Sequence, residues 1–232
     1  MNRGLYSGVQ ALSAAERRLE TIATNLANVS VDGNKRRSTT AQSFETALRG
    51  RLERQVRTRT RIDHSQGPLE ATGQPFDLAL HGSGFFAVET PRGEAYTRGG
   101  RFHIDSAGVL QTPDGLPVAW EGARGTIDPQ GPEVRIDSDG QVWQDETQVG
   151  RLRLVAFADP ARLEPDRAGY LHAPAGLREA AREAEVRQGS LERSNVSAVD
   201  EMVALISTQR SYESAARLMS AIEQGYRRLT AR

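Results

Sequence analysis

The sequence predicts an α+β chain: long N- and C-terminal helices paired as a coiled coil, with a central all-β, hairpin-rich domain inserted between them. Three observations predict it. Apolar residues recur every three or four positions at both ends of the chain. The middle instead shows short alternating runs separated by Gly- and Pro-containing turns. The two helical seams have matching spacing, so each offers the other a partner.

Between Gly4 and Val29, the residues Leu5, Val9, Leu12, Leu19, Ile22, Leu26 and Val29 share one stripe, with Glu16 and Ala23 in the remaining slots. Asp32-Gly33-Asn34 ends this helix. At the other end Ser197 is the expected N-cap, and Asp200 and Glu201 place negative charge in the first turn, where the helix dipole favours it. Met202, Leu205, Gln209, Tyr212, Ala215, Met219, Ile222, Tyr226 and Leu229 continue the seam, widened at its start by Val199, Val203 and Ile206. From Ala198 to Leu229 such a helix runs about 48 Å at 1.5 Å per residue. A small domain cannot cover that length. Periodicity leaves two readings open: a two-helix coiled coil that closes one monomer, or stripes that also pack against other subunits. The candidate interface residues are Leu5, Leu12, Leu19, Ile22 and Leu26 with Met202, Leu205, Ile206, Tyr212, Met219, Ile222 and Leu229. Replacing Ile206 or Ile222 by Asp is expected to block assembly by placing a charge in a buried seam. Asn25, Asn28, Ser194 and Asn195 lie at helix ends, where short polar side chains cap free backbone groups.

Between the helices, Ser30 to Arg37 reads as a polar turn and Thr40 to Leu52 as a short helical piece. Val56 to Ile62 alternates strictly, with three arginines on one face of a strand. Gly67-Pro68 and Gly73-Gln74-Pro75 then break the chain. Strands are expected at Phe76–Leu80, Phe85–Glu89, Ala95–Arg98, Arg101–Ile104, Val109–Thr112, Val118–Trp120 and Val149–Ala158. Phe102–Gln111 and Val134–Trp143 share Ile-Asp-Ser-x-Gly, and each reads as a hairpin with an Asx-type turn and a glycine at positive φ. Arg178–Arg187 reads as a loop with some helical character. The divisions are 1–37 for the first helix and turn, 38–75 for a linker with a short helix and the basic strand, 76–188 for the β-rich domain and 189–232 for the last helix.

Composition narrows the function. Thirty basic and thirty acidic residues leave no net charge, so no global field points to nucleic acid or membrane. Cysteine is absent, which removes disulfides and thiolate metal sites. No apolar run approaches the ~18 residues of a membrane span. The amphipathic N-terminus, with Glu16, Arg17, Arg18 and Glu20 inside it, is not a Sec signal peptide. Asp137-Ser-Asp139-Gly140 opens like a calcium loop, but Gln141 and Val142 follow and the distant glutamate is missing, so it reads as a turn. His81-Gly82-Ser83-Gly84 lacks an accompanying nucleophile elbow and reads as a tight turn. His64, His81, His103 and His172 have no metal spacing, and no phosphate or dinucleotide loop is present. Nothing argues for an enzyme, a cofactor or a metal. Nine basic residues from Lys35 to Arg61 face only Glu45 and Glu53. No aromatic residue lies among the arginines from Arg49 to Arg61 to stack bases, so a binding module built on the strand at 56–62 is the outside reading.

Three ordered motifs resemble the flagellar rod and hook family of bacterial axial proteins. The first is Ala23-Thr24-Asn25 with Leu26-Ala27-Asn28-Val29, closing the first helix. The second is central: Gly82-Ser83-Gly84-Phe85-Phe86-Ala87-Val88, then Tyr96-Thr97-Arg98-Gly99-Gly100-Arg101-Phe102 and Asp105 to Leu110. The third is Gly189-Ser-Leu-Glu192 with Ser194-Asn195-Val196, Glu201-Met202-Val203 and Gln209 to Glu213. Asn34 stands where the family usually has an aromatic residue, and Gln224 to Arg228 lacks its acidic-methionine tail. The short insert and Val149-Gly150-Arg151-Leu152 look closer to proximal than to distal rod or hook-type members. The resemblance implies a non-enzymatic structural subunit of the basal-body rod, polymerising through its terminal helices into the hollow shaft that transmits torque for motility. Its implied partners are copies of itself, other rod proteins and the flagellar type III export apparatus, with no nucleic acid and no membrane insertion.

Overall fold

The computed structural model describes residues 2–48, 51–166, 168–181 and 183–230, with side-chain surroundings described outside 1–7, 41–58, 226 and 228–230. The chain forms two compact units, one of residues 1–29, 36–63 and 196–232, the other of 30–35 and 64–195.

In the first unit, α1 spans Asn2–Ala27 and α2 spans Ala198–Thr230. Between them in sequence, β1 (Arg37–Leu48) and β2 (Arg51–Ile62) pair antiparallel along their whole length, from Arg37 opposite Ile62 to Leu48 opposite Arg51. The short helix expected over Thr40–Leu52 is therefore strand instead, in β1 up to Leu48 and in β2 from Arg51, while 49–50 lie outside the described residues. Its Thr39-Thr40 start is β-branched, and the strictly alternating partner that follows supplies a complete backbone ladder.

The paired coiled coil expected of the terminal helices is also corrected. The helices meet, since Met219 occupies the space beside Gly8 and Tyr212 Oη lies 3.4 Å from Glu16 Oε1. Among the described residues they do not share a buried apolar seam. Met202 and Ile206 are 50% and 52% exposed, and Val199, Val203 and Ile222 are exposed as well. The buried residues of this unit, among those described, are Ile22 and Val196 beside the polar Asn25, Glu201 and Thr208. The covered side of α2 thus runs through Glu201, Leu205, Thr208, Tyr212, Ala215 and Met219. The most buried positions on this side, Glu201 and Thr208, are polar and hydrogen-bonded. Arg36 Nε reaches Glu201 Oε1 at 2.6 Å, and Thr208 donates to the Ala204 carbonyl at 2.7 Å.

The second unit is almost wholly β. In chain order it contains β3 (Leu69–Ala71), β4 (Leu78–His81), β5 (Phe85–Thr90), β6 (Gly93–Thr97), β7 (His103–Ile104) and β8 (Leu110–Gln111). It continues with β9 (Val134–Ile136), β10 (Gln141–Gln144), β11 (Thr147–Arg151) and β12 (Leu154–Phe157). It closes with β13 (Glu164–Pro165), β14 (Leu171–His172), β15 (Glu179–Ala180), β16 (Glu185–Gln188) and β17 (Ser190–Glu192). One six-stranded sheet has the order β13-β14-β6-β5-β12-β15, and one three-stranded sheet the order β11-β10-β9. The returning strands β16 and β17 pair antiparallel with β4 and β3, so the incoming and outgoing chain close the unit together. Phe86, Leu110, Val118, Ile127, Val142 and Leu152 are fully buried between these layers, and Phe86 meets Phe102 edge-on at 5.1 Å.

Three expectations shift here. Val149–Ala158, expected as one strand, is divided between β11 and β12, which lie in different sheets. Val118–Trp120 makes only isolated bridges, to Val88 and Leu152. Arg178–Arg187 contributes strands, with no helical turn among the described residues. Both Ile-Asp-Ser-x-Gly segments are hairpins. Asp105 N donates to the Val109 carbonyl and Asp137 N to the Gln141 carbonyl, with Gly108 and Gly140 at φ of 80° and 83°. Asp105 makes the Asx turn through the amides of Ala107 and Val109, whereas the Asp137 carboxylate accepts from Trp143 Nε1 at 2.8 Å.

Candidate assembly site

The two ends of the chain carry the candidate site, and each residue has a definite place. Leu5 and Leu229 belong to the helices, but their side chains lie outside the described residues. Ile22 is buried, while Leu12, Leu19, Leu26, Leu205, Tyr212 and Met219 are half-buried. Met202, Ile206 and Ile222 are exposed. With Val199 and Val203, Met202 and Ile206 form a continuous apolar stripe over the first two turns of α2. At 100° per residue these four positions fall on one side, away from the Glu201 side. Beyond Ile206 the same side continues with Gln209, Arg210, Glu213 and Arg217. The stripe is therefore local.

The helix-end residues do more than cap. Asn25 is buried and clamps the backbone of Arg37 in both directions, donating to its carbonyl at 2.8 Å and accepting from its amide at 2.9 Å. This imitates one rung of a β ladder and holds the start of β1 to the end of α1. Asn28 donates its side-chain amide to the Thr24 carbonyl at 2.8 Å, reinforcing the bond its backbone amide makes to the same oxygen at 3.2 Å. Ser197 is the N-cap of α2, with its Oγ 3.3 Å from the Asp200 amide. Ser194 and Asn195 belong to the β unit instead. Asn34 donates to Ser194 Oγ at 3.3 Å, and Asn195 reaches the Ser65 carbonyl and Oγ at 3.1 Å each.

Sequence reasoning did not find the ionic cluster at the heart of the β unit. Glu192 is 0% exposed and accepts from Lys35 Nζ at 2.5 Å, Arg98 Nη1 at 3.1 Å and the Gly67 amide at 2.9 Å. Lys35 Nζ also donates to the Ser65 carbonyl at 2.6 Å. Arg98 donates to the Gly82 carbonyl at 2.6 Å and stacks over the Phe85 ring at 5.4 Å. Burial pulls the Arg98 guanidinium below its ordinary value, and Glu192 opposes that fall. Four segments distant in sequence thus meet on one carboxylate: the turn after the first helix, the Ser65–Gly67 loop, the Arg98 bend and the last strand. The one available signal was that Lys35 is the only lysine in the chain. Nothing in the sequence joins it to positions 98 and 192.

Among the described residues no group of three His, Asp or Glu side chains is placed to hold a metal ion, and no helix is long and apolar enough to cross a membrane. What the site offers is surface: an uncovered apolar stripe and helix ends tied into β structure.

Three family profiles match in chain order. One described as "Flagella basal body rod protein" covers residues 5–35, one described as "Flagellar hook protein FlgE/F/G D1 domain" covers 79–144, and one described as "Flagellar basal body rod FlgEFG protein C-terminal" covers 187–231. The flagellar basal-body rod protein FlgF of Caulobacter vibrioides is 34% identical over 227 residues, spanning 94% of this chain and 93% of its own. FlgF of Mesorhizobium japonicum is 35% identical over 229 residues, spanning 94% and 92%. FlgG of Bacillus subtilis is 29% identical over 254 residues, spanning 97% and 96%. Matches of this kind at both ends and in the middle define a structural protein of the bacterial flagellar axis. The chain belongs to the flagellar basal-body rod protein family. It is a structural subunit of the rod and assembles with other rod and basal-body proteins.

Proposed function

We propose that this subunit occupies the proximal part of the rod and polymerises there through the uncovered faces of its terminal helices. The exposed stripe of Val199, Met202, Val203 and Ile206 carries this reading. Four large apolar side chains exposed together on adjacent turns are the mark of a surface that a partner covers in the working state. Leu12, Leu19, Ile22, Leu26, Leu205, Tyr212, Met219 and Ile222 support that surface from below or extend it, and the proposed assembly set also includes Leu5 and Leu229. Chain length favours the proximal position. Alignments to the two FlgF relatives extend over 227 and 229 residues, whereas those to FlgG relatives run to 254 and 260, longer than this 232-residue chain. The FlgG relatives therefore contain stretches that this chain lacks.

In this reading the subunit has no catalytic activity, needs no cofactor, and works without nucleic acid or membrane insertion. It leaves the cell through the flagellum's own type III export apparatus. The divisions at residues 37, 75 and 188 separate the helix-bearing ends from the β-rich middle. Ile206→Asp tests the reading. Ile206 is already exposed to water, so the variant should match the wild type in thermal stability yet be absent from purified basal bodies. Normal incorporation of Ile206→Asp would refute the assembly role. Immunogold labelling of the β unit at the inner end of the rod is the expected position; label further out would move the subunit to the distal rod.

A further inference from the structure

The chain is neutral as a whole, yet its charge is divided between the two units. The unit of α1, α2 and the β1–β2 hairpin contains 16 arginines against 9 carboxylates, a net charge of +7. The β unit contains 14 basic against 21 acidic residues, a net charge of −7. The hairpin is the main source of the first excess, with seven arginines and two glutamates between Arg37 and Ile62.

Its geometry turns one side outward. Thr39 Oγ1 lies 2.6 Å from Thr21 Oγ1 of α1 and 3.1 Å from Thr60 Oγ1, so that side of the ladder faces the helix. Two-residue alternation sets Arg59 and Arg61 on the opposite side, across from Thr40 and Ser38, and both arginines are exposed. Neither has an ion pair among the described residues.

Many acidic residues of the β unit are neutralised internally, as in Glu94–Arg153, Arg151–Asp139 and the Glu192 cluster. One end of the β9–β10–β11 sheet differs. Glu133 precedes β9, and Asp145 and Glu146 form the β10–β11 turn. Gln144 draws Asp128 to the same end through bonds of 2.9 Å to its amide and its carbonyl. All four carboxylates are exposed, and none has an ion pair among the described residues.

We infer that the exposed arginine face of the β1–β2 hairpin docks against the acidic β unit of a second copy of this chain, with the Asp128, Glu133, Asp145 and Glu146 end of the sheet as its counterpart. Copies meeting through like units oppose like charges, whereas copies meeting hairpin to β unit pair opposite ones. A contact between two different surfaces of identical subunits is heterologous, and it builds a helical filament where the rotation between copies does not close a ring. This inference rests on the rod reading, and it adds to the apolar stripe a second contact with a different physical signature. Screening weakens the ionic contact and leaves the apolar one intact.

Sedimentation velocity of the purified full chain tests it at about 0.1 M and 1 M NaCl, where the Debye length falls from about 10 Å to about 3 Å. Association should drop at least ~tenfold across that range. The Arg59→Glu/Arg61→Glu variant and the Asp145→Arg/Glu146→Arg variant should each lose the low-salt association while keeping wild-type circular dichroism. An equimolar mixture of the two should recover it, because each variant complements the other at both surfaces. Salt-insensitive or absent association of the wild type would overturn the inference. So would wild-type association by Arg59→Glu/Arg61→Glu, or binding of duplex DNA by the hairpin in place of a second copy. Basal bodies separate the two levels. Normal rods built with Arg59→Glu/Arg61→Glu sink the docking surface alone, whereas absence of the wild-type chain from basal bodies sinks the rod reading.

Discussion

Glu192→Gln is the most demanding test of the β unit. The change keeps the shape of the side chain and removes its charge. The Lys35 and Arg98 side chains, 6% and 5% exposed, would then lie buried beside an amide. Removing one partner from a buried ion pair costs about 3–5 kcal/mol, because the remaining charge is desolvated without compensation. Two cations share this carboxylate, so the upper half of that range is expected. The only two tryptophans, Trp120 and Trp143, both lie in the β unit, so their fluorescence during urea unfolding reports that unit alone. With a denaturant slope of about 2 kcal/mol per molar, the midpoint should fall by about 2 M. Lys35→Met should cost less, about 2 kcal/mol, because Glu192 retains Arg98 and the Gly67 amide. A midpoint shift below ~0.3 M for Glu192→Gln, or a larger effect from Lys35→Met, would refute the claim that one carboxylate organises this core.

Other outcomes follow from single features. Lys35 is the only lysine and is buried, so an amine-reactive reagent should label the folded chain at its α-amino group and gain a second site only after unfolding; mass spectrometry of intact protein reads this. A Cβ on Gly100 would sit 1.6 Å from the Leu78 carbonyl oxygen, so Gly100→Ala should destabilise by about 3 kcal/mol or more. Gly73→Ala, at φ 71° with open space around it, should cost only about 1–2 kcal/mol, and equal effects would count against the steric argument. Burial, then the neighbouring carboxylates Glu94 and Asp114, push the Tyr96 and Tyr170 hydroxyls up to about 12. The fold favours the neutral phenol, so their contribution to stability holds below about pH 10 and is lost as pH rises through about 12. Tyrosinate absorbance should show two of the five tyrosines titrating only near that upper value; full ionisation by about pH 11 would contradict it.

Both terminal helices, the paired Ile-Asp-Ser-x-Gly hairpins and most central strands were legible in the sequence, because three- and two-residue periods and turn chemistry are written locally. The segment over Thr40–Leu52 was not. Its helical and strand tendencies are close, and pairing with the strand that follows, from Thr40 opposite Arg59 to Leu48 opposite Arg51, supplied the ladder that decided it. The stripe on α2 was visible as apolar residues, but its covered side was not. The covered Glu201–Thr208 side includes an ion pair to Arg36, which lies 165 residues from Glu201.

By itself, the sequence determined the helix at each end, the β character between them, and the family motifs that make this chain a rod subunit. Tertiary structure alone decided three things: that the described residues of the helices share no buried apolar seam, that Lys35, Arg98 and Glu192 converge on one buried site, and that arginines and carboxylates separate into oppositely charged units. The physical reason is the same in each case. A residue's period depends on its neighbours in the chain. Its burial and charge partner depend on residues that only folding brings within a few ångströms.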